Sequence, residues 1–244
     1  MIVFDQVSFS YGTRSILRDL SFSIHRDERV GILGGSGEGK TTILRLILGL
    51  LRPDAGKIII DEMDITDKPE DRLSEIRKKF SIVFQEGALF DSLSVKENVI
   101  FGLREYTKMT EEALDQKGRE LLSMVGLEQA LELMPEELSG GMHRRVAIIR
   151  SLAAFEPEMF LYDEPTTGLD PVNADMICKL ILDLSERGKG FLLVTHKIYD
   201  AMRLADRFMF LKNGKIIFDG KREELIRSPI PEIQIYVREL NLGT

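Results

Sequence analysis

The run Val30-Gly-Ile-Leu-Gly34-Gly-Ser-Gly-Glu-Gly-Lys40-Thr-Thr-Ile-Leu44 decides the fold of this chain. It leads from a short apolar segment through a glycine-rich turn into an apolar pattern with helical spacing at 41–51. Gly34 and Gly39 enclose four residues and are followed by lysine and threonine, which is the spacing of a phosphate-binding loop. Glycines let backbone N–H groups converge on phosphate oxygens, and the helix that follows points its positive dipole end at the same place. The run therefore predicts a polyphosphate site between a strand and a helix.

Each side chain in this loop has an expected place. Lys40 can reach the terminal phosphates, and the Thr41 hydroxyl can hold Mg²⁺. Glu38 is unexpected there, because a carboxylate beside a triphosphate repels it, so we expect its side chain to point away from the phosphates. The predicted nucleotide-binding residues of the loop are Gly34, Gly35, Ser36, Gly37, Glu38, Gly39, Lys40, Thr41 and Thr42.

A second segment, Met159-Phe-Leu-Tyr-Asp163-Glu164-Pro165, places two adjacent carboxylates at the end of an apolar strand. Successive side chains of a strand point to opposite faces, so the two carboxylates take different tasks. Asp163 can assist Mg²⁺ coordination, directly or through water, and Glu164 can polarise the water that attacks the γ-phosphate. Together with the glycine-rich loop, the pair predicts hydrolysis of a nucleoside triphosphate.

Composition limits the class of protein. The 244 residues carry 33 Lys and Arg against 40 Asp and Glu, a net charge of −7, which disfavours a strongly basic nucleic-acid-binding protein. The most apolar stretch, 43–51, is shorter than the roughly 20 residues that a membrane span needs. The N-terminus lacks a signal-peptide pattern, and the single cysteine, Cys178, fits a reducing cytosol. We therefore expect a cytoplasmic chain that reaches a membrane only through a partner.

Strand and helix patterns alternate along the chain, which indicates an α/β core with a parallel sheet. Short apolar runs bounded by glycine or polar residues are typical of strands that are buried on both faces. These predicted strands are 29–33, 80–84, 159–162 and 191–195. The predicted helices between them are 41–51, 144–155 and 172–187.

Further segments do not follow this alternation. Residues 1–24 and 56–65 alternate apolar with polar residues and predict a small antiparallel layer. Residues 86–137 predict a helical insertion, in which Thr110 caps a helix that Gly126 ends. The dipeptide Asn213-Gly214 predicts a hairpin turn. A last helix at 232–240 is expected to dock on the core, with a partner contact as the alternative.

The chain resembles the ABC-type ATPases in an ordered series of motifs. Residues 138–142, Leu-Ser-Gly-Gly-Met, resemble the signature loop of that family, although most members have Gln where Met142 stands, and residues 167–170 resemble its D-loop. Tyr11 resembles the aromatic residue that stacks on adenine, Gln85 the Q-loop glutamine and His196 the switch histidine. The resemblance covers essentially the whole chain and implies a P-loop NTPase (RecA-like) fold of the ABC ATPase type.

The resemblance also implies how the site works. ABC ATPases bind two ATP molecules between two head-to-tail subunits, and each signature loop completes the site of the other subunit, so a homodimer with ATP and Mg²⁺ is expected. The implied catalytic residues are Glu164, His196 and Gln85, and the implied metal ligands are Thr41, Gln85 and Asp163. Beyond the loop, the implied nucleotide contacts are Tyr11, Ser139, Gly140 and Gly141.

The predicted organisation is one ABC ATPase domain over residues 1–244. Its nucleotide-binding core with the antiparallel layer takes residues 1–85 and 157–228, and its helical subdomain takes residues 86–156. Residues 229–244 form a C-terminal tail.

The segment 86–99 resembles the Mla-type lipid-transport ATPases and their chloroplast lipid-import relatives. That resemblance implies an ATPase on the inner face of the cell membrane, bound to an integral membrane permease and driving phospholipid between membranes with a lipid-binding periplasmic component. A transporter of another cargo, such as an amino acid, an ion or a drug, is the alternative. DNA-repair types carry coiled-coil or zinc insertions and translation types carry two tandem ATPase units, so we expect no nucleic-acid partner.

Overall fold

The computed structural model describes residues 1–85, 87–153, 157–186 and 188–242, with side chains described as far as Leu240. The predicted helix ends at Phe155 and Arg187, the first residue of the predicted helical subdomain, Glu86, and the last two residues of the predicted tail lie outside the described residues. The strands are β1 (Ile2–Tyr11), β2 (Arg14–Ile24), β3 (Arg29–Leu33), β4 (Ala55–Ile60), β5 (Met63–Asp64), β6 (Phe80–Val83), β7 (Met159–Asp163), β8 (Phe191–Thr195), β9 (Arg207–Lys212) and β10 (Lys215–Lys221). The helices are α1 (Lys40–Ile47), α2 (Glu70–Arg77), α3 (Val95–Tyr106), α4 (Glu111–Ser123), α5 (Gly140–Ala153), α6 (Pro171–Ser185), α7 (Ile198–Leu204), α8 (Arg222–Ile226) and α9 (Pro231–Leu242).

A sheet in the order β10-β9-β3-β8-β7-β6 forms the centre of the described molecule. Strands β9, β3, β8, β7 and β6 are parallel, and β10 pairs antiparallel with β9. Every residue of β7 and β8 is buried, as expected for strands with side chains packed on both faces. The predicted α/β core with a parallel sheet is confirmed, and the phosphate-binding loop leaves the carboxyl end of its central strand, β3.

The predicted antiparallel layer is a sheet in the order β2-β1-β4-β5. Its inner face packs on α1 and on one face of the parallel sheet, so that Phe4, Val7 and Ile32 share a single apolar core. The Phe4 ring stacks on Phe22 with centroids 4.6 Å apart. This layer places Tyr11, at the end of β1, in a cleft that Ser36 and Gly37 of the phosphate-binding loop also line.

The opposite face of the parallel sheet shares a second apolar core with residues of α3 to α9. The Thr110 side chain caps α4 by accepting the Ala113 N–H, and Gly126 follows that helix with a φ of +65°. Ile233 and Val237 of α9 are buried in the same core, as expected for a docked tail. Cys178 of α6 also lies there, 1% exposed, and burial raises the pKa of its thiol to about 12.

Several predicted boundaries differ from the observed ones for local reasons. Helix α1 ends at Ile47 rather than at residue 51, because Gly49 takes the left-handed conformation with a φ of +61°. Helix α5 begins at Gly140, four residues before its predicted start, because the Ser139 hydroxyl accepts the Met142 N–H at 3.3 Å and so caps it. The helix N-terminus therefore lies within the signature loop.

A tight turn joins β9 to β10 at the predicted dipeptide, where Asn213 and Gly214 have φ angles of +51° and +75°. Two left-handed residues in succession match the twist of an antiparallel hairpin. Within the described residues, every helix is too short or too polar to cross a membrane.

Candidate active site

The phosphate-binding loop runs from β3 into α1, and the Lys40 side chain folds back onto the backbone of the loop. The Lys40 ammonium donates to the carbonyl oxygens of Gly34 at 2.8 Å and Gly35 at 3.0 Å. At Gly39, which has a φ of +109°, an added Cβ would lie 2.8 Å from Ile16 Cγ2, so only glycine fits there. The loop is thus held in shape by its own lysine and by strand β2.

The predicted magnesium ligands Thr41 and Asp163 meet in the structure. Thr41 Oγ1 donates to Asp163 Oδ1 at 3.0 Å, across the gap between α1 and the end of β7. A hydroxyl with one carboxylate suits Mg²⁺, which uses few protein oxygens and takes its other ligands from phosphate and water. Gln85, two residues after β6, lines the same cleft as Thr41.

Both oxygens of the Glu164 carboxylate contact neighbouring polar groups. Its Oε1 accepts the backbone N–H of His196 at 3.0 Å and lies 3.4 Å from Lys40 Nζ. Its Oε2 accepts the hydroxyls of Thr167 and Thr195, each at 3.0 Å, and lies 2.9 Å from His196 Nδ1. Glu164 is only 7% exposed, whereas the His196 side chain is 45% exposed, so a buried carboxylate contacts a partly exposed imidazole.

The two adjacent carboxylates have pKa values shifted in opposite directions. Burial alone would raise the pKa of Glu164, but the hydrogen bond from His196 and the charge of Lys40 outweigh it, and its pKa lies below the usual range. Burial raises the pKa of Asp163, and the neighbouring Glu164 charge raises it further, against the lowering effect of Thr41. Glu164 is therefore ionised at neutral pH, as a group that polarises water must be.

A cavity of about 620 Å³ lies against the loop and brings the predicted catalytic residues together. Gln85, Glu164 and His196 line it with Gly35 and Ser36. Its wall also includes Thr167, Lys197, Ile198, Tyr199, Tyr236 and Glu239.

A second cleft of about 270 Å³ follows the same loop from Ser36 to Tyr11. The Tyr11 side chain is 44% exposed, and its ring packs edge-on against Phe9 with centroids 4.8 Å apart. Arg14, at the start of β2, lines the same cleft. The cleft thus joins a partly exposed aromatic ring to the phosphate-binding loop, which is the layout of a base site beside a phosphate site.

The signature loop lies at the N-terminus of α5, where Gly141 packs against α6. An added Cβ at Gly141 would lie 2.0 Å from Asn173 Oδ1, so the close approach of the two helices requires glycine. Asp170, in the D-loop segment, caps α6 by accepting the N–H groups of Val172 and Asn173. Met142 is partly buried against the core, which gives it a packing role.

Sequence reasoning missed several residues of the site. Thr195 ends β8 and could have been found from its place beside His196, but Tyr236 lies on α9, and its place in the cavity wall has no signal in the local sequence. Arg144, also missed, is buried and donates to the Phe84 carbonyl oxygen at 2.8 Å, which ties α5 to the residue before Gln85.

The sequence of this chain is similar to those of known proteins. The ABC transporter family model matches residues 17–167. The intermembrane phospholipid transport ATP-binding protein MlaF of Escherichia coli is 39% identical over 232 residues, 95% of this chain and 86% of the relative. The glutamine transport ATP-binding protein GlnQ of the same species is 40% identical over 230 residues, 94% of this chain and 95% of the relative.

Among solved structures, the dimeric ATP-binding cassette MJ0796 bound to ADP and Pi has a TM-score of 0.83 at 34% identity, over 91% of this chain and 98% of that one. Fold and site together define a P-loop ATPase of the ATP-binding-cassette type. This chain belongs to the ABC transporter family and is one of its ATP-hydrolysing subunits. The predictions of family, fold class, ATPase activity and the cofactors ATP and Mg²⁺ are confirmed. The solved cassette MJ0796 is a dimer, and cbiO1 of Clostridium perfringens, 29% identical with a TM-score of 0.83 over 99% of this chain and 94% of that one, is part of the ABC transporter complex cbiONQ.

Proposed function

We propose that this chain hydrolyses ATP to drive a permease that moves phospholipid between membranes. Two relatives whose names refer to lipids support this cargo: MlaF, 39% identical over 95% of this chain, and the chloroplastic protein TRIGALACTOSYLDIACYLGLYCEROL 3 of Arabidopsis thaliana, 41% identical over 92% of it. The segment 86–99, which resembles the Mla-type ATPases, supports the same cargo. The chain would then bind the permease at the inner face of the membrane, and a lipid-binding periplasmic component would complete the system.

The contacts of the site support a division of tasks. Lys40 would exchange the Gly34 and Gly35 carbonyl oxygens for phosphate oxygens, because an ammonium binds charged oxygens more strongly than neutral ones. Thr41 and Asp163 would hold Mg²⁺ with Gln85, and bound Mg²⁺ neutralises charge on the β- and γ-phosphates.

Glu164 and His196 would act on the water that attacks the γ-phosphate. The Glu164 carboxylate accepts the hydrogen bond that orients this water, and the His196 side chain, 45% exposed, lies against Glu164 with the ring open to the cavity. The hydroxyls of Thr167 and Thr195 fix the direction of the carboxylate. In a head-to-tail homodimer, Ser139, Gly140 and Gly141 of the second copy would face the phosphates with the α5 N-terminus.

A groove of about 450 Å³ supports the permease contact. Phe84, Ala88, Tyr106 and Arg150 line it, between the end of β6 and the helical insertion. Because Gln85 adjoins this groove and also lines the nucleotide cavity, a permease segment bound there would respond to the state of the nucleotide.

The test uses the chain purified together with its permease from native membranes. The complex is placed in phosphatidylethanolamine and phosphatidylglycerol vesicles, and ATP-dependent transfer of a fluorescent phospholipid to acceptor vesicles is followed. We expect transfer with ATP and none with the Glu164→Gln variant. Robust ATPase activity without any lipid transfer would contradict the proposed cargo.

An amino-acid transporter is the second candidate, because GlnQ is 40% identical over 94% of this chain. The same vesicles would then take up labelled glutamine when ATP is supplied. Glutamine uptake without lipid transfer would favour this candidate over phospholipid.

A further inference from the structure

The phosphate-binding loop holds one acidic side chain, Glu38, and both of its oxygens are occupied. Oε1 accepts Lys212 Nζ at 2.8 Å, and Oε2 accepts the Asn213 N–H at 2.6 Å. The Glu38 side chain is 14% exposed and the Lys212 side chain 37% exposed, so the pair is partly shielded from water. Both donors come from the hairpin of β9 and β10, far along the chain from the loop.

The hairpin that binds the Glu38 carboxylate is itself held in place by strand β2. The Arg18 N–H of β2 donates to the Gly214 carbonyl oxygen at 2.9 Å, and an added Cβ at Gly214 would lie 2.4 Å from the Ile16 carbonyl oxygen. Ile16 also limits the space at Gly39 of the loop. Strand β2 thus contacts both the loop and the hairpin that holds Glu38.

We propose that Lys212 is a positioning residue for nucleotide binding, which neutralises Glu38 and holds its carboxylate away from the bound phosphates. The role rests on the proposed binding of phosphates by residues 34–42 and does not depend on the cargo. Beside Glu38, the pKa of Lys212 lies above its usual value, so the ammonium stays charged at physiological pH.

The variant Lys212→Met removes the ammonium and so tests what the ion pair contributes to nucleotide binding. In Lys212→Met the carboxylate keeps only the Asn213 N–H and remains charged beside the triphosphate, which it repels. A carboxylate freed to turn toward the cleft would also compete with phosphate oxygens for Lys40. We expect ATP affinity to fall by about tenfold, because the variant leaves an uncompensated negative charge in the loop that binds a polyanion.

The measurement is calorimetric titration with a non-hydrolysable ATP analogue and Mg²⁺. Lys212→Met is expected to bind about tenfold more weakly, and Lys212→Met with Glu38→Gln to return to within about threefold of the unaltered chain. Lys215→Met is the matched control, because Lys215 is an exposed lysine of the same hairpin, and its affinity should not change. The loss in Lys212→Met should also shrink as the salt concentration rises from about 0.05 M to about 0.5 M.

Three results would overturn the role of Lys212: an unchanged affinity in Lys212→Met, a loss that Glu38→Gln does not rescue, or a loss insensitive to salt. The last two would indicate a distorted loop rather than charge repulsion, and a matching fall in the melting temperature of the ligand-free variant would show the same. Failure of the unaltered chain to bind the analogue would count against the proposed function instead.

Discussion

At the scale of single residues, Glu164 is held more firmly than a strand-end carboxylate usually is. It takes a φ of +48° and accepts hydrogen bonds from two hydroxyls and a backbone N–H. A non-glycine residue in that conformation is uncommon and needs such support. Its direction is therefore fixed before a nucleotide arrives, which is what a group that positions water requires.

We predict that Glu164→Gln retains ATP binding, favours the closed dimer and loses turnover by about 10²- to 10³-fold. Glutamine keeps the size of the side chain but removes the charge that polarises water. Steady-state phosphate release from the permease complex measures turnover, and size-exclusion chromatography with ATP measures dimerisation. Glu128→Gln, on the exposed surface of the helical insertion, is the control. Near-normal hydrolysis by Glu164→Gln would remove Glu164 from this role.

Tyr162 offers a test of stability away from the chemistry. It is 1% exposed between Phe160 and Phe191, and its hydroxyl has no hydrogen-bond partner among the described residues. Since an unpaired buried hydroxyl costs free energy, Tyr162→Phe should raise the free energy of unfolding by about 1 kcal/mol. Urea denaturation measures the change, and Tyr162→Leu, which leaves a cavity, should instead lose about 2 kcal/mol or more. A loss in Tyr162→Phe would mean that the hydroxyl is paired.

At the scale of elements, the close packing of α5 on α6 depends on the absence of a side chain at Gly141. We predict that Gly141→Ala pushes the helices apart, because the new methyl group would overlap Asn173 Oδ1 at 2.0 Å. The melting temperature should fall by several degrees, corresponding to about 1–3 kcal/mol for overpacking. Gly140→Ala is the control for stability, since its Cβ would meet Leu169 at an ordinary 3.5 Å. Adding Asn173→Ala to Gly141→Ala removes the overlapping amide but keeps the Cβ of residue 173, which would lie 2.9 Å from the new methyl group, so part of the stability should return. No recovery would contradict the overlap.

Elements with a local signal were predictable from the sequence, and contacts between distant elements were not. The loop at 34–42 and the turn at Asn213 carry their conformation in their glycines and in their spacing. The ion pair of Glu38 with Lys212 joins residues that only the fold brings together, and neither residue has a neighbour in sequence that indicates the other. The place of Tyr236 in the cavity wall depends in the same way on the docking of α9.

At the scale of the whole molecule, one carboxylate joins the two sheets. Asp61 follows β4 of the antiparallel layer and lies 2.6 Å from the ammonium of Lys79, which precedes β6 of the parallel sheet. Arg26, between β2 and β3, lies 2.8 Å from the same oxygen. Burial would raise the pKa of Asp61, but the hydrogen bonds from Lys79, the N-terminal amino group and Arg26 hold its pKa well below the usual range.

Because folding lowers the pKa of Asp61, the free energy of unfolding depends on pH. The pKa of Asp61 is lower in the folded chain than its value of about 3.9 in the unfolded chain. The contribution of Asp61 to the free energy of unfolding is therefore complete at neutral pH and is lost as pH falls below about 5. Asp61→Asn should therefore lower the free energy of unfolding by about 2 kcal/mol at pH 7, and the difference should narrow toward pH 3. Urea titrations across this range measure it. Asp67→Asn, at an exposed position, should change stability by less than about 0.5 kcal/mol, and an equal loss there would remove the special role of Asp61.

The burial of Cys178 has a practical use for spectroscopy. A thiol 1% exposed with a raised pKa does not react with maleimides under native conditions, so the native cysteine can stay in place. Glu239 of α9 is exposed and lines the cavity of about 620 Å³ beside the phosphate-binding loop, where we propose that the nucleotide binds. A fluorophore attached through Glu239→Cys would therefore be the single label on the chain and would report, by its change in emission, when a nucleotide enters and leaves.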